Sequence, residues 1–357
     1  MKRTICRAVS QDLITGHNVP GPLARTPVAR PQPARTECAR VEADASQGGV
    51  IVDTALWHSE APGRPTGFSA FVVRCPLSSF VLLSFVISWI IWLPTLLSYR
   101  GVLAVEPSAW LHYAGACGPI AAALLVEYTC RGRPGVGELL ARLGRGRIGL
   151  LWWLAALSPF ALIPMTSVVL SVGWDEGLAW EGLGVSSKMP GFTPLAAWAF
   201  AILTYGIGEE TGWRGFLLPR LQHRFNALGA TLVLSVVWAS WHVPLFFYRE
   251  GYVGLGAGGA LGLIISMALG AVVLTWLFNS TGGSVLAVAV WHGTWNLLAM
   301  TDAFAGRPVA IMSSIILAFG VALIFAAGPQ HLSRQKRVTV PWPPSPTDRS
   351  VPTEVPG

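Results

Sequence analysis

Two adjacent glutamates, Glu209 and Glu210, interrupt the apolar run AILTYGIGEETGWRGFLL, and two further apolar runs answer them with lone polar residues. His242 lies in TLVLSVVWASWHVPLFF, and His292 with Asn296 lies in SVLAVAVWHGTWNLLAM. An ionised group at bilayer depth costs on the order of several kcal/mol unless it is paired or borders water, so such groups are functional suspects. A carboxylate beside imidazoles in a site poor in water can activate a water molecule as nucleophile. Side-chain donors nearby can stabilise the oxyanion that forms when that water attacks a carbonyl.

Helical spacing separates the two acids. Residues four apart share a face, so Glu210 points with Arg214 and His292 points with Asn296. Glu209 is turned about 100° from Glu210 and has no arginine at that spacing. The reading therefore gives Glu210 and Arg214 to structure and local electrostatics, and Glu209 to proton transfer with His242 assisting. His292 and Asn296 become the donors to an oxyanion. The competing arrangement is a Zn2+ ion held by Glu209, His242 and His292 with an open position for water. Trp213, Trp238, Trp241, Trp291 and Trp295 flank the motifs and read as packing and water exclusion. Tyr205, one turn before Glu209, is placed to orient it. His112 reads as incidental, and Arg249 and Glu250 as solvated interface charges.

Composition says where these residues sit. Of 357 residues, 52% are hydrophobic and only 12% charged, about half the charge usual in a soluble domain. The chain reads as an integral membrane protein whose partner is the lipid bilayer. Its net charge of +7 is then a topology signal, and nucleic acid is excluded as a partner. The five cysteines show no CxxC spacing, so neither a zinc ribbon nor a disulfide framework is implied.

A bilayer-spanning helix needs about 20 apolar residues, and eight segments qualify: roughly 77–98, 108–128, 148–173, 194–217, 228–248, 258–279, 283–301 and 308–328. The expected fold is all-α, a polytopic membrane helix bundle of about eight transmembrane helices over 75–328. Segment 135–147 is too short and too charged to span, and its Leu139, Leu140 and Leu143 suit the membrane surface. The Arg- and Pro-rich stretch 1–74 reads as a disordered cytoplasmic arm, and 329–357 as a disordered cytoplasmic tail. Arg131, Arg133, Arg142, Arg145 and Arg147 crowd one link, whereas the next carries Asp175, Glu176 and Glu181. Positive charge collects in cytoplasmic loops, which puts both termini in the cytoplasm. A multi-pass protein of a bacterial plasma membrane is the expected location, with the polar site opening toward the cytoplasm.

The ordered set EETGWR (209–214), WASWH (238–242) and HGTWN (292–296) resembles the CPBP group of intramembrane proteases, which includes the type II CAAX prenyl endopeptidases and bacteriocin-processing or immunity proteins. Their pattern is EExxxR, then FxxxH, then HxxxN or HxxxD, and the resemblance covers about 135–310 well. Trp238 departs from it, standing where the group usually has Phe. The resemblance implies catalytic roles for Glu209, His242, His292 and Asn296, with Glu210 and Arg214 filling the remaining motif positions. It also implies a protein or peptide substrate, prenylated CAAX tails being the best known. Other motif classes have no support, since HExxH, GxSxG and the P-loop pattern are absent. Two alternatives stay open: a non-proteolytic scaffold or bacteriocin-immunity protein of the same group, and a proton-coupled transporter, against which stands the lack of an internal repeat pairing the two halves.

Overall fold

Each of the three motif-bearing runs begins just after a residue able to cap a helix, and in the computed structural model each cap is made. The side chains of Thr193, Asn226 and Ser284 accept from the amides of Ala196, Gly229 and Ala287 at 3.3, 2.7 and 3.2 Å, satisfying a donor that a helix start leaves orphaned. Pro194 follows Thr193 at the first helical position, where its missing N–H costs nothing. The structure describes residues 2–9, 35–43, 50–53 and 67–341.

The chain divides into two units, Met1–Ala70 and Phe71–Gly357. In the first, β1 (Lys2–Val9), β2 (Arg35–Ala43) and β3 (Val50–Asp53) form an antiparallel sheet in sequence order, with Cys6 opposite Cys38. The reading of 1–74 as an arm without structure is therefore corrected at these strands, and at helix α1 (Gly67–Arg74), which begins inside that range. The remainder of that arm lies outside the described residues.

The second unit is helical wherever an apolar segment was expected. Its elements are α2 (Pro76–Tyr99), α3 (Trp110–Gly115), α4 (Gly118–Leu143), α5 (Leu150–Ala156) and α6 (Leu162–Trp174). They are followed by α7 (Pro194–Ala201), α8 (Leu218–Arg224), α9 (Ala227–Trp241) and α10 (Glu250–Val253). Helices α11 (Gly256–Ser280), α12 (Val285–Met300) and α13 (Arg307–Ala327) complete it. Among the described residues, four helices are long and apolar enough to cross a bilayer: α2, α9 with its continuation to Phe247, α11 and α13. The pair Leu150–Ala156 and Ser158–Trp174, bent by 58°, makes a fifth if it is one span. The fold is thus a polytopic helical membrane bundle with four to five spans fixed by length and apolarity.

Three boundaries differ from expectation, each for a physical reason. Helix α4 runs past 128 to Leu143 but turns sharply at Gly132, whose φ of 63° is open to glycine. Beyond the turn, Leu139 is buried, so this short helix is pinned to the bundle. The acid-bearing helix does not stop near Leu217 but continues through α8 to Arg224, with Leu218 to Gln222 all buried. The tail expected to be unstructured from Pro329 is ordered to Pro341. Gln222 and Asn279 exchange side-chain hydrogen bonds at 3.0 and 2.8 Å, and the tail closes over them: Gln222 donates to the Val338 carbonyl, Asn279 to that of His331, and Arg337 to that of Gln222, each at 2.8 Å. Leu332 is fully buried beneath. Residues 342–357 lie outside the described residues.

Close approach of backbones sets the level of the motifs. A Cβ at Gly206 would lie 2.4 Å from the Ala289 carbonyl oxygen, and one at Gly293 would lie 2.6 Å from Ile202 Cα. The acid-bearing helix and α12 therefore touch along two glycines that flank the site.

Candidate active site

From Ile202 to Leu217 the acid-bearing helix is wound in wide π-type turns, broken only at Glu210. Such turns are rare and tend to mark functional sites. They spread the side chains of the acid pair, and the two carboxylates find different partners.

Glu210 is the centre of an ion cluster. Arg214 Nη1 donates to its Oε1 and Oε2 at 2.8 and 2.9 Å, and both side chains are completely buried. His292 Nδ1 lies 2.8 Å from Glu210 Oε1. Arg214 also lies over the Trp238 ring, 4.9 Å from its centroid, a cation–π contact that is strengthened out of water. The expected pairing of Glu210 with Arg214 is thus what the geometry shows, and His292 joins it.

Glu209, 3% exposed, takes a different bond. Trp238 Nε1 donates to its Oε2 at 2.9 Å, and its other oxygen carries no hydrogen bond among the described residues. Trp238 therefore does more than pack. Its ring also stands edge-on to His292 at 5.5 Å between centroids, and its carbonyl receives the Nδ1 proton of His242 at 2.8 Å. A carbonyl only accepts, so this contact places the neutral imidazole's proton on Nδ1 and leaves the Nε2 lone pair available. The His242 ring lies parallel to that of Tyr252 at 6.3 Å.

Asn296 is half-buried, and its Nδ2 spends one bond on the His292 carbonyl at 3.1 Å. Its second amide hydrogen and its side-chain oxygen stay available at the rim. Among the described residues, no group of three His, Cys, Asp or Glu side chains is placed to hold a metal ion. Glu209, His242 and His292 are not gathered round one point as a ligand trio would be.

Two residues set aside on sequence grounds belong beside the site. His112 is buried, with Nε2 3.1 Å from the Tyr205 hydroxyl and Nδ1 3.3 Å from that of Tyr248. Tyr205 thus binds His112, not Glu209. Arg249 is half-buried, its charge acting on the hydroxyls of Tyr113, Tyr205, Tyr248 and Tyr252. The signal for both lies in the aromatic residues bearing hydroxyls at 113, 205, 248 and 252, which are too far apart in sequence to read as one cluster. Burial, ahead of the nearby Glu209 charge, pushes the Tyr252 phenol up to about 12, keeping it a donor.

The burial pattern shows at which end of the helices the site is closed. Arg224 lies 15 residues beyond Glu209, roughly 22 Å at the helical rise. That end is closed by α8, by the ordered tail and by a buried ion pair of Arg220 with Glu127. Half-exposed residues around the motifs, His242, Tyr252, Trp295 and Asn296, lie instead toward the end that carries Lys188, Arg249 and Asp302.

A helical membrane protein whose buried acid pair meets an arginine on its own helix and a histidine on α12, with a second histidine hung on the tryptophan that binds Glu209, defines a narrow class. Residues 191–298, which contain every one of these motifs, match the family model described as Type II CAAX prenyl endopeptidase Rce1-like. That match, over just under a third of the chain, agrees with the resemblance that the three motifs carry. The chain is also 24% identical over 173 residues to the "CAAX prenyl protease 2" of Methanococcus maripaludis, covering 46% of this chain and 63% of that relative. The chain thus spans somewhat less than two thirds of the length of the curated relative it matches.

Proposed function

We propose that the protein is a membrane-embedded endopeptidase that hydrolyses a peptide bond near the C-terminus of a protein substrate, prenylated CAAX-type tails being the substrate class that the relatives' names suggest. The observation that carries this reading is the split of the acid pair. Glu210 is neutralised by Arg214 beside His292, whereas Glu209 keeps an oxygen unbonded and shares Trp238 with His242, whose free lone pair is fixed by its backbone contact.

In this reading a water sits between Glu209 and His242, both acting as acceptors. Glu209 removes a proton as the water's oxygen bonds to the scissile carbonyl carbon, and the carbonyl π electrons move to its oxygen. His292 and Asn296 donate to that oxyanion. Collapse of the tetrahedral intermediate breaks the C–N bond, and Glu209 returns the proton to the leaving amine. Glu210 and Arg214 hold His292 in place. All eight apolar segments cross the bilayer, those of α4, α7–α8 and α12 being tolerated despite charge or shortness because they are packed inside the bundle. The location is a bacterial plasma membrane.

The test is cleavage of a prenylated CAAX reporter peptide by the purified protein in detergent, wild type beside Glu209→Gln, before and after dialysis against a chelator. The expected result is cleavage by wild type, unchanged by the chelator, and a loss of about a hundredfold or more in Glu209→Gln. Equal cleavage by the two proteins would remove Glu209 from the chemistry. Loss on chelation would replace the metal-free route.

A further inference from the structure

Neither segment that carries a reacting group fixes its own geometry. The acid-bearing helix is wound in π-type turns across Glu209, a winding less regular than an α-helix. Helix α9 stops at Trp241, and the chain leaves His242 through the short helical turn Val243–Phe247, so the last carbonyls of α9 lose their helical partners. The position of Glu209 relative to His242 is therefore set from outside these two segments.

Helix α2 supplies the fixed point. Its Trp89 and Trp92, three residues apart, share a face. Trp89 Nε1 donates to the Trp241 carbonyl at 3.0 Å, pinning the residue before His242. Trp92 Nε1 donates to the His112 carbonyl at 3.0 Å, and the Ser88 hydroxyl to the Gly115 carbonyl at 2.8 Å. A Cβ at Gly115 would fall 2.0 Å from Trp92 Nε1, so α3 lies against α2 with no room to spare. The Trp92 ring also packs on His112 and Trp241, at 6.1 and 4.8 Å between centroids.

With its backbone held in this way, His112 reaches out in two directions. Its Nε2 lies 3.1 Å from the hydroxyl of Tyr205, four residues before Glu209, and its Nδ1 lies 3.3 Å from that of Tyr248, six residues after His242. All three side chains are buried, so each bond lost leaves a polar group without its partner out of water.

We propose that His112 is a positioning residue for the hydrolysis. Bridging Tyr205 to Tyr248 from a backbone locked on α2, it holds the acid-bearing helix and the segment after His242 at the separation in which Glu209 and His242 share one water. This rests on the endopeptidase reading above and adds to it the residue that keeps the two acceptors in register. Misplacing a reacting group by about 1 Å costs on the order of a hundredfold in rate, so the bridge acts on turnover and leaves peptide affinity alone. Both bonds are needed together, since a strut cut at either end transmits nothing.

The experiment measures kcat and KM on the reporter peptide for wild type, Tyr205→Phe, Tyr248→Phe, the double variant and His112→Phe, with Glu209→Gln alongside. Each tyrosine change removes one hydroxyl and keeps the ring, and His112→Phe keeps a ring against Trp92 while removing both nitrogens. We expect kcat to fall about tenfold in each tyrosine variant with KM nearly unchanged. The double variant and His112→Phe should fall no more than about twofold beyond the worse single one, because the two bonds act as a unit. Thr231→Val removes a buried bond to Thr275 at 2.9 Å, eleven residues before His242. It should lower the unfolding temperature and leave kcat as in wild type.

Unchanged kcat in both tyrosine variants overturns the bridge, and so does a fall near a hundredfold in the double variant, the product of two independent contacts. A raised KM with unchanged kcat would make the hydroxyls substrate contacts, and a matching fall in Thr231→Val would make the effect one of stability; either overturns it. In each of these cases, loss of cleavage in Glu209→Gln leaves the endopeptidase reading standing. No cleavage by wild type ends both. If His112→Phe does not fold, the tyrosine variants still decide.

Discussion

The Trp238 indole donates to Glu209 across 2.9 Å, and Trp238 stands where the family pattern has Phe. A phenyl ring could fill much of the same space but could not offer this bond. The donor fixes one carboxylate oxygen and, in the mechanism proposed above, leaves the other for the water that Glu209 deprotonates. Trp238→Phe keeps an aromatic ring over Arg214 and loses only the N–H. We expect kcat to fall about tenfold with KM nearly unchanged, as when a positioned hydrogen bond to a charged group worth roughly 1.4 kcal/mol is removed from the reacting group. Steady-state kinetics on the reporter peptide decide it, and an unchanged kcat would reduce Trp238 to packing.

Glu210 joins Arg214 and His292 in a cluster sealed from solvent. Among the described residues, two further nitrogens of Arg214, Nε and Nη2, have no acceptor, so its charge depends on Glu210 for compensation. Glu210→Gln keeps the shape and strands a buried guanidinium, a loss that is strongly destabilising when one partner of a buried pair is removed. The expected outcome is a lower unfolding temperature in detergent, with Glu209→Gln much closer to wild type because Glu209 has no cation of its own. If the two variants unfold together, the division of labour between the acids is wrong.

The sequence made the bundle legible because eight apolar runs and three capped motif helices are local signals. Thr193, Asn226 and Ser284 announce their helices before any tertiary contact forms. Spacing four apart was enough to pair Glu210 with Arg214. What it could not give was the π winding from Ile202, which depends on how Gly206 and Gly293 let two backbones approach. Nor could it show Trp238 reaching Glu209, since that bond joins residues 29 apart in the chain. The ordered tail was hidden for a related reason. Its hydrogen bonds go to Gln222 and Asn279, and a polar stretch whose partners lie elsewhere in the chain looks unstructured when read alone.

Charge bias and burial make a joint statement about sidedness. We propose that the basic links at 131–147 and 220–224 face the cytoplasm, which would put the half-exposed rim of the site at the other end of the bundle. Single cysteines introduced at Gly144 and at Ser108, in a background cleared of other reactive thiols, should therefore label from opposite faces. With a membrane-impermeant maleimide we expect Ser108→Cys to react in intact cells and Gly144→Cys only in inverted vesicles. The reverse pattern would turn the rim to the cytoplasm and both termini outward, and labelling of both from one side would rule out the odd number of crossings between them.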